Sequence, residues 1–214
     1  QRQMCIRDSF IMVIAFPCAV GIGVLASPIM QLLFGDGGKE IELMLRIGAV
    51  SIVFYSLSTL TNALLQGVNR MQAPVKNALI ALVLHIIVLL VCMYGLNLGI
   101  YSVVIANAFF ALFMCTLNRR SLKRYTRYRQ EVGKTFIVPA ISSAIMGVAV
   151  FFAYDALHKL IHSNAISTVV CIALGGVVYI VCLFLFKGFS EEELINFPKG
   201  ATLVRIFKKL HLLR

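Results

Sequence analysis

The chain has 214 residues, 60% of them hydrophobic and only 14% charged, with a mean hydropathy of +0.90. A soluble domain lies nearer half apolar and a quarter charged, and the apolar residues here fall in runs of about 20, the length that crosses a bilayer as one helix. The net charge of +11 does not point to nucleic acid, because the basic residues lie between and after the hydrophobic runs, where inner-face residues are expected, and no soluble domain is left to grip one.

Residues 1–9, QRQMCIRDS, depart from this pattern. They are polar, abut a hydrophobic run in mid-stride and lack the apolar core of a signal peptide. We read them as non-native read-through ahead of the C-terminal part of a longer protein. The first span is expected at residues 10–34, with Pro17 and Pro28 as helix kinks and Gly21 and Gly23 as points of close helix contact.

After a glycine turn at 35–38, residues 43–70 form the most informative stretch. Ser51, Tyr55, Ser58, Asn62, Gln66 and Asn69 follow one another at steps of 4, 3, 4, 4 and 3. At about 100° per residue they stay within an arc of about 80° on one helix. Ile52, Val53, Phe54, Leu57, Leu60, Leu64 and Leu65 occupy the other side. Lipid offers the polar side no partners, so it must face protein or a wet cavity. Hydrated pathway and helix–helix glue are equally compatible with these residues.

Pro74 suits the first turn of a third span, about 75–94, which carries His85 deep inside. A neutral histidine bonded to a neighbouring helix is the simpler reading, and a substrate or proton contact the sharper one. The fourth span, about 100–117, holds Asn107, a common interhelical hydrogen-bonder. The run NRRSLKRYTRYRQEVGK follows. Its Arg119, Arg120, Lys123, Arg124, Arg127, Arg129 and Lys134 face one acid, Glu131. Such a cluster stays cytoplasmic and can hold anionic lipid.

The fifth and sixth spans are expected at about 135–154 and 166–186. His158 and His162 lie four apart in their connection, but a pair without a third ligand is a poor metal site. In the tail, Ser190 and Glu193 form a capping box, and the 201–214 segment reads as an amphipathic helix with Lys208 and Lys209 toward an anionic inner surface. The gaps after spans two and four, with the tail, hold Arg70, Lys76, seven cluster residues and six tail residues; the other gaps hold Lys39, Arg46 and Lys159. That bias places both ends in the cytoplasm.

Cys5, Cys18, Cys92, Cys115, Cys171 and Cys182 lack metal or disulfide spacing and read as packing residues. No Ser-His-Asp set, HExxH or nucleotide loop occurs. We therefore expect no enzyme, no cofactor and no metal. The expected fold is all-α and integral to the membrane. Its parts are a four-helix portion at 10–117, a basic cytoplasmic loop at 118–134, a two-helix hairpin at 135–187 and an amphipathic tail at 188–214.

Three stretches carry a family resemblance. PCAVGIGVLASPIMQLLFG at 17–35 and LLQGVNRMQAPVKN at 64–77 resemble repeated features of the multidrug/oligosaccharidyl-lipid/polysaccharide flippase superfamily. FPKGATLVRIFKKLHLLR at 197–214 is similar to the ending of its stage V sporulation protein B branch of polysaccharide transporters. The resemblance implies a two-lobed transporter of fourteen helices, of which this chain supplies helices nine to fourteen, partnered by an N-terminal lobe. It further implies a lipid-linked saccharide, carried on undecaprenyl pyrophosphate, moved by alternating access across a bacterial plasma membrane. The implied substrate-cavity candidates are Ser51, Tyr55, Ser58, Asn62, Gln66, His85 and Asn107, with the terminal hairpin grooved for the prenyl tail. A cation-coupled drug exporter of the same superfamily and a non-transporting scaffold are the alternatives.

Overall fold

A computed structural model describes residues 2–35, 38–125, 133–161 and 163–186, with side chains from Phe10 onward except at 133 and 134. Among these residues every regular element is helical: α1 (Arg2–Val24), α2 (Ala26–Phe34), α3 (Lys39–Gly67), α4 (Gln72–Leu90), α5 (Tyr101–Tyr125), α6 (Val138–Ile161) and α7 (Asn164–Leu185). Short π-helical turns at Val91–Gly95 and Gly133–Ile137 adjoin α4 and α6. Five of these helical stretches are long and apolar enough to cross a membrane, and a sixth span arises if the bent pair α1–α2 counts as one.

The bend between α1 and α2 is 70°. It falls at Leu25, whose backbone leaves the helical region (φ −89, ψ 17). Pro28 lies three residues further on. It has no N–H for the carbonyl of Val24, and its ring crowds that carbonyl, so the helix breaks one turn upstream. Pro17, by contrast, lies within α1, which continues through it to Val24. The helical backbone also extends through residues 2–9, which the sequence pattern alone had set apart.

The helices follow one another in space in the order α4, α5, α3, α1, α6, α7. Two apolar clusters share α1 between them. Met12 and Ala15 meet Leu57, Leu60, Leu64 and Leu65 of α3 and Cys115 and Leu122 of α5. Leu25 meets Met146 and Val150 of α6 and Cys171, Tyr179 and Leu183 of α7. Between transmembrane helices this association comes from close packing rather than from exclusion of water.

The closest approaches occur at Gly147 and Gly175. A methyl group at Gly147 would lie 2.6 Å from the Val20 side chain, and one at Gly175 would lie 2.8 Å from Val150. The glycines expected to do this behave differently: Gly23 meets only Ala49 at 4.0 Å, and Gly21 meets nothing within that distance. Gly21 instead lines an apolar groove of about 340 Å³ bounded by Met146, Val150, Cys171 and Gly175.

Several boundaries differ from those read in the sequence. Helix α5 continues to Tyr125, so Arg119, Arg120, Lys123 and Arg124 lie on the helix rather than in a loop. The segment has no glycine or proline to stop it, Lys and Arg are good helix formers, and cations in a last turn complement the helix dipole. Helix α6 likewise runs on to Ile161, with Asp155 and Lys159 paired along it at 2.6 Å and His158 stacked on Tyr154. Arg127, His162, the capping box at Ser190 and the tail residues Lys208 and Lys209 lie outside the described residues.

Candidate functional site

Helix α3 is 29 residues long, about 43 Å at 1.5 Å per residue, and so exceeds the hydrocarbon thickness of a bilayer. Its apolar side packs on α1 and an adjoining side on α5. The polar stripe straddles the edge of that second contact, and its members meet two different environments.

One part is buried. Ser51 and Ser58 are 6% and 4% exposed, and Asn62 is half-buried. Asn62 joins a chain of amides across three helices. Asn118 of α5 donates to Asn62 Oδ1 at 2.7 Å and reaches toward the Ser58 carbonyl at 3.5 Å. Asn77 of α4 donates to Asn118 Oδ1 at 2.9 Å and to Ser121 Oγ at 2.9 Å. Asn118 is wholly enclosed. An amide with both its ends satisfied in this way fastens α3, α4 and α5 together at the end that bears the α3–α4 turn. Ser51 Oγ, also buried, has no hydrogen-bond partner, so it fills space without joining this network.

The other part is open. Tyr55 is 38% exposed, and Gln66 is exposed beyond the last apolar contact of α3 with α5. Thr59, between them on the helix, is also exposed and returns its hydroxyl to the Tyr55 carbonyl. Helices α3 and α4 hardly touch each other, and both pack on α5. The Phe110 ring of α5 lies between them, 6.3 Å from the Tyr55 ring and 5.7 Å edge-on from His85 of α4. Asn107, one turn from Phe110, is exposed.

His85 bonds through Nδ1 to the Ala106 carbonyl at 2.9 Å. A carbonyl only accepts, so Nδ1 carries the proton and the ring fastens α4 to α5. Asn69, counted at the end of the stripe, is not on the helix at all. It has a left-handed backbone (φ 59) just past Gly67, with Asn69 N–H on the Gln66 carbonyl and Arg70 N–H on the Leu65 carbonyl. Those two bonds are a Schellman stop, and asparagine tolerates the left-handed position better than most side chains.

The structure thus brings Tyr55, His85 and the neighbourhood of Asn107 to one region around Phe110, and gathers Asn62 with Asn77, Asn118 and Ser121 in another. Asn77, Asn118 and Ser121 were not singled out in the sequence. A signal did exist: Asn107 and Asn118 are eleven residues apart, three turns on one helix face, and Asn77 and His85 are eight apart on another.

A family model described as "Lipid II flippase MurJ" matches residues 8–170 of the chain. The chain is 29% identical over 215 residues to the lipid II flippase MurJ of Bacillus subtilis, an alignment covering 93% of the chain and 37% of that protein. It is 27% identical over 206 residues to an uncharacterized membrane protein, YabM, of the same organism, covering 92% of the chain and 37% of the relative. A probable lipid II flippase MurJ of Bdellovibrio bacteriovorus is 28% identical over 167 residues, covering 74% and 31%. The chain therefore spans about a third of the length of the curated relatives it matches. No solved structure matches it.

Proposed function

The chain belongs to the lipid II flippase MurJ family, and from this membership we propose that it forms part of a transporter moving a lipid-linked saccharide of peptidoglycan synthesis across the membrane. Members of this family are transporters rather than enzymes, and the helices of this chain are those of a multi-pass membrane protein. On this reading the chain supplies one wall of the substrate cavity, and the remaining wall comes from an N-terminal lobe. Alternating access then consists of the two lobes rocking about a fixed site.

The observation that carries the reading is the open half of the α3 stripe. Tyr55, Gln66 and Asn107 leave polar side chains uncovered along transmembrane helices, while α3 and α4 stand apart over Phe110. Of these, Tyr55 and Asn107 lie well inside α3 and α5, and Gln66 lies in the last turn of α3. Uncovered polar groups within the spans need either water or another protein surface. A hydrated cavity shared with a second lobe supplies both. Hydroxyl and amide groups suit the sugar and headgroup oxygens of such a substrate, and the pyrophosphate calls for cationic donors from outside these spans.

The glue reading belongs to Ser58 and Asn62, whose neighbours are described above. Both ends of the chain facing the cytoplasm, with 119–124 among the anionic inner lipids, accords with the distribution of basic residues. The narrower placement in the sporulation branch rests on the 197–214 sequence and is part of the same proposal.

The test is translocation of a lipid-linked saccharide by Tyr55→Leu and Gln66→Leu variants at matched expression. We expect the double variant to lose about tenfold in flux, the equivalent of one or two hydrogen bonds to substrate. Undiminished flux would reject these residues as cavity lining.

A further inference from the structure

At the α3–α4 turn, beyond the asparagine network, the surface forms a polar basin of about 410 Å³ lined by residues 69–73, Lys76 and Tyr125. Three elements build it. The Schellman stop at Asn69 fixes the direction in which the chain leaves α3, and hence where Arg70 emerges. The Arg70 guanidinium lies over the Tyr125 ring, 4.9 Å from its centre, at the last residue of α5. Lys76 stands one turn into α4, whose N-terminal end, with its partial positive charge, opens on the same hollow.

The charges in this basin have one sign. Among the described residues, no carboxylate pairs with Arg70 or Lys76. Glu40 and Glu42 open α3, about 40 Å away along the helix, where Glu42 is held by Arg46. Asp155 is held by Lys159. A guanidinium held over an aromatic ring keeps its edge N–H groups free and loses little side-chain entropy when they bind. A forked donor with a second cation beside it matches the geometry of a phosphate group.

We propose that this basin is a phosphate-binding site, with Arg70 as the forked donor, Lys76 as the second cation and Tyr125 as the platform that orients Arg70. The site lies at the ends of three membrane-length helices, at headgroup level, so phosphate carried by an anionic phospholipid and soluble phosphate are its two possible sources. It is separate from the open face around Phe110 and does not depend on the transport reading.

The experiment uses the purified protein in detergent and two probes: phosphatidylglycerol, counted as retained adducts by native mass spectrometry, and inorganic phosphate, titrated by calorimetry. Arg70→Gln/Lys76→Gln is compared with Lys39→Gln, which removes a cation at the far end of α3. Retention of phosphatidylglycerol lowered about tenfold in the double variant, and unchanged in Lys39→Gln, supports the site with a lipid source. Saturable binding of inorganic phosphate, lost in the double variant alone, supports it with a soluble source. Tyr125→Leu should weaken whichever ligand binds by a smaller factor, and a further variant, Tyr125→Phe, should restore it. Equal binding of both probes by the original protein and the double variant would overturn the proposal.

Discussion

Replacing Asn118 by leucine tests whether the amide chain holds α3, α4 and α5 together. The substitution removes the 2.7 Å bond to Asn62 and the 2.9 Å bond from Asn77. Hydrogen bonds between membrane helices contribute on average about 0.6 kcal/mol and at most about 1.7 kcal/mol each, so the pair accounts for about 1–3 kcal/mol. Asn77 keeps Ser121 as an acceptor, whereas the Asn62 oxygen loses the one amide donor it has among the described residues. The loss should therefore appear mainly along the Asn62 branch. Equilibrium unfolding in mixed micelles, with a double-mutant cycle on Asn62→Leu and Asn118→Leu, isolates that branch. We expect a coupling of about 0.6–1.7 kcal/mol. Converting Asn62, Asn77 and Asn118 together to leucine should recover part of the loss, because no orphaned amide remains. Additive single variants, or an Asn118→Leu protein as stable as the original, would refute the reasoning.

Gly147→Val and Gly175→Val should each destabilise by about 1–3 kcal/mol through overpacking against Val20 and Val150, whereas Gly176→Ala, with nothing within 4 Å, should be nearly silent in the same unfolding measurement. Pro28→Ala restores a donor for the Val24 carbonyl and should reduce the 70° bend; spin labels at Ile14 and Leu33 would then move apart. Asn164→Ala should loosen α2, because Asn164 Nδ2 holds the Pro28 carbonyl at 3.0 Å while its oxygen accepts from Tyr154; a broader distance distribution between labels on α2 and α7 is the expected result.

The helical, membrane-spanning character of the chain was legible because run length and exclusion of charge are properties of the sequence alone. The bend at Leu25 was half legible. Proline announces a missing donor, but Pro17 and Pro28 carry the same local signal, and the helix breaks ahead of Pro28 while running through Pro17. Basic residues 119–124 read as a loop because charge marks the end of an apolar run, yet α5 continues as helix after that run stops. The stripe from Ser51 to Gln66 was legible as one face. That it divides between a closed seam and an open side depends on where α5 crosses α3, which no period within α3 encodes. Asn118 shows the same limit from the other side: its role comes from partners 41 and 56 residues away in the chain.

The most direct test of the account is the reactivity of single cysteines along α3 and α5 toward a water-soluble, membrane-impermeant thiol reagent, in a background with the native cysteines replaced. We predict that cysteines at Tyr55, Gln66 and Asn107 react, and are protected by lipid-linked saccharide, while cysteines at Ser51 and Ser58 stay unreactive. Protection from lipid and water alike at Tyr55 and Gln66, or ready labelling at Ser58, would contradict the division of this helix into a wet wall and a dry seam.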